Sequence, residues 1–165
     1  MKVLLIFDWG GTVMVDYDKE GPMCFWEKVD YVSGMKTALL KLSKKYSCCI
    51  ATNADMSDTE AMIKALNRIN ADKYFKNFFS SKDLDYEKPD KRFFLNITKE
   101  MDVMPVDCVM IGNSYAKDIK GAKDAGMKTI FYNEDDISGN FSDADIVISS
   151  MDKLYKSVEQ IIDSA

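Results

Sequence analysis

Five short, nearly continuous apolar runs punctuate this chain: Lys2–Phe7, Ser47–Ala51, Cys108–Ile111, Lys128–Phe131 and Asp145–Ile148. A strand that is apolar along its whole length, rather than at every second residue, expects burial on both faces. The stretches between these runs carry apolar residues at helical spacing instead. Met35, Ala38, Leu39, Leu42 and Tyr46 form one such stripe; Met62, Ala65, Leu66 and Ile69 form another. Phe93, Phe94, Ile97 and Met101 suggest a third helix, and Ile119, Ala122 and Gly126 a fourth. Met151, Leu154, Tyr155, Val158, Ile161 and Ile162 give a C-terminal helix. Strands alternating with helices imply an α/β fold with a parallel sheet covered on both faces.

A length of 165 residues suits one domain, and 47% apolar with 30% charged residues is enough to fold it. Residues 14–33 are the least regular part and read as a short hairpin or flap followed by a loop. No apolar run approaches the length needed to cross a bilayer, and no secretory signal is visible at the N-terminus. A cytoplasmic protein with no membrane partner is expected. The four cysteines lack zinc-ligand spacing and read as reduced, mostly buried thiols. A net charge of −5 argues against a nucleic-acid partner. Histidine is absent, which excludes Ser-His-Asp and Cys-His catalysis and histidine zinc sites. Any chemistry must come from carboxylates, lysines, hydroxyls and backbone.

Four segments follow expected strands or open expected helices, where open parallel sheets bind ligands. Asp8-Trp9-Gly10-Gly11-Thr12 follows the first run. Its aspartate would point into the crevice while the glycines turn the backbone; an Asx turn explains the same residues. Thr52-Asn53 follows the second run, as a phosphate contact near a helix start or as helix capping, with Asn53, Asp55 or Ser57 as the candidate cap. Lys88 precedes Pro89 at a helix start and would neutralise a carboxylate and a phosphate together, or simply stay solvated. Gly112-Asn113-Ser114 with Asp118 offers oxygen ligands for Mg²⁺, or a glycine turn capped by Ser114. Each segment alone favours the plainer reading. Their convergence at one end of one sheet reverses it.

In order and text these segments resemble the haloacid dehalogenase-like (HAD) hydrolase superfamily. The matching pieces are FDWGGTV (Phe7–Val13), ATN (Ala51–Asn53), EKPD (Glu87–Asp90) and MIGNSYAKDIKGAKDAGM (Met110–Met127). The resemblance implies a three-layer Rossmann-like sandwich with a β-hairpin flap after the first strand. It implies Asp8 as the nucleophile that forms an aspartyl-phosphate. Thr52 would hydrogen-bond the phosphoryl group, and Lys88 would screen its charge. Gly10, Gly11, Thr12, Thr52, Asn53 and Lys88 form the implied phosphate site. Mg²⁺ is the implied cofactor, held by Asp8, the Gly10 carbonyl, Asn113 and Asp118.

Two positions depart from the family pattern. Gly10 stands where most of the family's phosphatases carry an acid/base aspartate, and Asn113 stands where a metal-binding aspartate is usual. Losing an acid/base group commonly costs on the order of 10²–10⁴ in rate. A phosphatase selective for good leaving groups is therefore expected. Its substrate would be a phosphorylated small molecule or phosphoprotein. The alternatives are a catalytically impaired binding or regulatory protein and, more weakly, a phosphonatase-like or dehalogenase-like hydrolase. The short spans between the motifs leave no room for a cap domain. An open site of this kind suits a large substrate or a lid borrowed in a homo-oligomer, with Phe25 and Trp26 as candidate edge or contact residues.

Overall fold

The computed structural model describes residues 2–164. Six strands build one parallel sheet: β1 (Leu4–Phe7), β2 (Ser47–Thr52), β3 (Asn77–Ser80), β4 (Cys108–Gly112), β5 (Lys128–Tyr132) and β6 (Ile146–Ile148). Their order is β3-β2-β1-β4-β5-β6. All five apolar runs become strands, with ends shifted by one or two residues. The edge strand β3 is an addition; its four residues, Asn-Phe-Phe-Ser, are too short and too polar to declare themselves.

The helices are α1 (Met35–Lys45), α2 (Thr59–Arg68), a single turn α3 (Ser81–Leu84), α4 (Lys91–Met101), a short α5 (Lys120–Asp124) and α6 (Leu154–Asp163). Strand residues divide cleanly between two cores because successive side chains leave opposite faces. Leu5, Phe7, Ile50 and Ile111 pack with the apolar faces of α1, α2 and α6. Leu4, Ile6, Ala51 and Met110 pack with Phe93, Phe94 and Ile97 of α4 and Ala122 of α5. This is the helix–sheet–helix sandwich that the apolar pattern implies. All four cysteines are buried free thiols. Among the described residues, no helix is long and apolar enough to cross a membrane.

Two local expectations are corrected. Helix α2 is capped by Asp58, whose side chain accepts from the Ala61 N–H, not by Asn53, Asp55 or Ser57. Asp58 stands three residues ahead of that N–H, the spacing that a capping carboxylate needs. The hairpin flap forms no strands. Its arms pair only locally, through the antiparallel Met14–Tyr31 bridge, Val15 N–H to Asp30 O at 3.0 Å and Val32 N–H to Val13 O at 3.0 Å. Asp18 and Gly21 lie in the left-handed region, and Pro22 lacks a donor, so a regular ladder cannot extend. Residues 16–29 instead form a loop with one tight turn at Met23–Phe25. Arg68 of α2 clamps this loop, donating to Cys24 O and Glu27 O, both at 3.2 Å.

Candidate active site

The chain leaves β1 towards β2 on one side and later returns through β4 on the other, creating a switch point between β1 and β4. Asp8 sits there, immediately after β1. Its N–H donates to Ile111 O at 2.9 Å, which ties the start of the loop to β4. Lys88 Nζ donates to Asp8 Oδ1 at 2.8 Å, to Asp118 Oδ1 at 2.7 Å and to Ala51 O at 3.0 Å. All three ammonium protons are thereby used. The backbone of Lys88 is fixed by Asn53, which donates through Nδ2 to Lys88 O at 3.0 Å and accepts its N–H at 2.8 Å.

Asp118 reaches the site from a π-helical turn at Tyr115–Ile119, a local widening often found at functional sites. The Ser114 N–H donates to Asp118 Oδ2 at 3.0 Å. A Cβ at Gly112 would lie 2.3 Å from that same oxygen, so the approach requires glycine. Gly11, at φ +80°, similarly makes way for Asn113, whose Nδ2 would stand 2.3 Å from a Cβ there. Thr12 Oγ1 donates to Asp8 Oδ2 at 3.0 Å and accepts the Asn113 N–H at 3.1 Å.

Asp8, Lys88 and Asp118 are 8%, 3% and 1% exposed, so two carboxylates share one ammonium in a nearly dry site. Burial opposes the charge on Lys88, but Asp118 and Asp8 outweigh it and hold the ammonium above its ordinary range. Burial and the nearby Asp8 carboxylate push the Asp118 carboxyl above the usual carboxylate range, against the pull of Lys88. The cluster carries one surplus negative charge.

That surplus fits a divalent cation. Among the described residues no three His, Cys, Asp or Glu side chains cluster as a metal cage. The oxygen-bearing groups that line the site are instead the carboxylates of Asp8 and Asp118, the Asn113 amide and the backbone at Gly10. An all-oxygen set with only two carboxylates matches the preference of Mg²⁺, which keeps waters and substrate phosphate in its shell.

A cavity of about 710 Å³ opens above this floor. Asp8, Gly10, Thr52, Asn53, Lys88, Asn113 and Asp118 line it; Gly11 and Thr12 do not. Those two, expected from the sequence as phosphate contacts, sit behind Asp8 and Asn113 and brace them. Trp26 lines the cavity, whereas Phe25 points outward at 79% exposed. Sequence reasoning missed Asp16 and Met23 of the flap, which also line it. Only their place beside the first motif could have signalled them.

Fold and site together define a doubly wound α/β protein with a carboxylate–lysine–carboxylate cluster at its switch point. The sequence model of the haloacid dehalogenase-like hydrolases matches residues 12–132, and the chain belongs to that family. It is 31% identical over 138 residues to a glyceraldehyde 3-phosphate phosphatase from Pyrococcus furiosus, covering 78% of this chain but 55% of that protein. The chain thus spans about half the length of this curated relative. Among solved structures, an uncharacterized protein from Listeria monocytogenes serotype 4b superposes with a TM-score of 0.85 at 22% identity, covering 98% of this chain and 99% of that one. The HAD-hydrolase YfnB from Bacillus subtilis, solved bound to magnesium, gives 0.70 at 24% identity, covering 79% of this chain and 56% of that one.

Proposed function

We propose that this chain is a Mg²⁺-assisted phosphomonoester hydrolase working through an aspartyl-phosphate on Asp8, with a phosphorylated small molecule as substrate. One observation carries the reading: Asp8 lies on the floor of an open cavity, its carboxylate fixed by Lys88 and Thr12. An acceptor-only carboxylate held in one orientation is a prepared nucleophile. Lys88 stays charged and screens Asp8 from an incoming phosphate dianion. Thr52 Oγ1 makes only a long 3.3 Å donation to Asn53 O among the described residues, which leaves it free to turn towards a phosphoryl oxygen. Asn53 holds the Lys88 backbone and completes the cavity wall. Asp8, Gly10, Asn113 and Asp118 would hold Mg²⁺, which offsets charge on the phosphoryl oxygens when bound. An amide at 113 brings no charge, so weaker metal binding is expected than from a third carboxylate. The named activity of the Pyrococcus relative supports the phosphatase reading and the small-molecule substrate.

Gly10 supplies no proton to a leaving group, so aryl and acyl phosphates should turn over faster than alkyl phosphates. The test is phosphate release across aryl, acyl, sugar and nucleotide phosphates, with Mg²⁺ and with EDTA. Mg²⁺-dependent turnover led by aryl and acyl esters is the expected result. No release from any of them would favour a binding or regulatory role for the same fold.

A further inference from the structure

Cleaving an ester P–O bond leaves an alkoxide unless a proton reaches the departing oxygen. Histidine is absent, and the acidic side chains lining the cavity are Asp8, Asp16, Asp18, Asp55, Glu87 and Asp118. Asp8 attacks phosphorus. Both Asp118 oxygens are engaged, one by Lys88 and one by the Ser114 N–H. The donor must then come from the cavity mouth.

One carboxylate there stands out by position. A Cβ built on Gly10 would meet only Asp16 Oδ2 and Met23 Cε, each at 3.9 Å. The space between Gly10 and Asp16 is thus the volume a side chain at position 10 would occupy, two residues past the nucleophile. Asp16 Oδ1 accepts the Asp18 N–H at 2.9 Å, while Oδ2 has no hydrogen-bond partner among the described residues. Met14 pairs with Gly10 on one side and Tyr31 on the other, which seats the first arm of the flap against the catalytic loop. Arg68 holds the second half of the flap.

Resting on the phosphatase reading above, we propose that Asp16 is the general acid and base of this site. As Asp8 attacks, the P–O bond breaks with its electron pair on the leaving oxygen, which takes the proton from Asp16 and departs as the alcohol. The Asp16 carboxylate then takes a proton from water as that water attacks the aspartyl-phosphate. The Asp8–phosphorus bond breaks, inorganic phosphate leaves, and Asp16 is again protonated for the next cycle. A donor carried on the flap is less closely fixed than one on the catalytic loop, which preserves some preference for good leaving groups.

The test compares wild type, Asp16→Asn, Asp16→Glu and Asp18→Asn on glycerol 2-phosphate and 4-nitrophenyl phosphate with Mg²⁺. For Asp16→Asn, kcat/KM on the alkyl ester should fall roughly 10²-fold, while the aryl ester loses only a few-fold. Its kcat on the aryl ester should fall too, with a pre-steady-state burst of nitrophenolate, because hydrolysis of the intermediate has lost its base. Asp16→Glu should recover part of the alkyl rate, and Asp18→Asn should leave the alkyl-to-aryl ratio at the wild-type value. Asp16 is exposed, so its variants should keep the wild-type thermal midpoint. Equal losses on both esters, no loss, or the same loss in Asp18→Asn would overturn the proposal while leaving Asp8 chemistry intact. A wild type inactive on both esters would bring down the phosphatase reading and this assignment together.

Discussion

Lys88 holds the site together. It is 3% exposed and, among the described residues, is the one cation between two buried carboxylates. Breaking a buried pair leaves an uncompensated charge, which typically costs about 3–5 kcal/mol. Lys88→Met should therefore abolish turnover and lower stability by about that amount, read from urea midpoints. A midpoint within error of wild type would show that the ammonium is not carrying this charge. Asp8, Lys88 and Asp118 were legible only through the resemblance that their segments carry together, since each segment alone favoured a plainer reading. The latch from Asn53 to the Lys88 backbone was not, since it joins residues 35 positions apart through loop geometry. Asp16 was equally hidden, because its meaning depends on the space left beside Gly10.

The elements that announced themselves are those buried on a full face. The central strands β1 and β4 carry no polar side chain, β2 carries them only at its ends, Ser47 and Thr52, and α1 and α4 carry apolar stripes. The edge strand β3 and the flap escaped the pattern for opposite reasons. β3 buries only half its residues, and the flap gains its shape from side-chain bonds to another element. Arg68 is one of only two arginines in the chain, and its single guanidinium donates to the flap carbonyls of Cys24 and Glu27. Each such bond contributes about 0.5–1.5 kcal/mol, so losing the two in Arg68→Ala should cost about 1–3 kcal/mol. It should also speed proteolytic cleavage within residues 16–29. Unchanged cleavage there would mean that the flap holds itself.

The whole molecule is a two-sided sandwich whose thiols are part of the packing. Burial raises Cys48 and Cys108 from 9.0 to about 12. A thiol raised in the folded state stabilises the fold fully below pH 9 and loses that contribution as pH rises towards 12. The unfolded chain binds fewer of these protons in that window, so urea midpoints should fall steadily across it. Cys48→Ala, despite its cavity, should make that fall shallower; an unchanged slope would contradict the burial argument. The sandwich serves one end: the switch point that places Asp8 under the cavity. The most direct measurement is to quench the Mg²⁺-loaded protein during turnover of 4-nitrophenyl phosphate, reduce it with borohydride and map the modified peptide by mass spectrometry. The account predicts one reduced site, where hydride has converted the Asp8 acyl phosphate to homoserine and released its phosphate, and no such conversion in Asp8→Asn. Phosphorylation at any other residue, or turnover by Asp8→Asn, would contradict it.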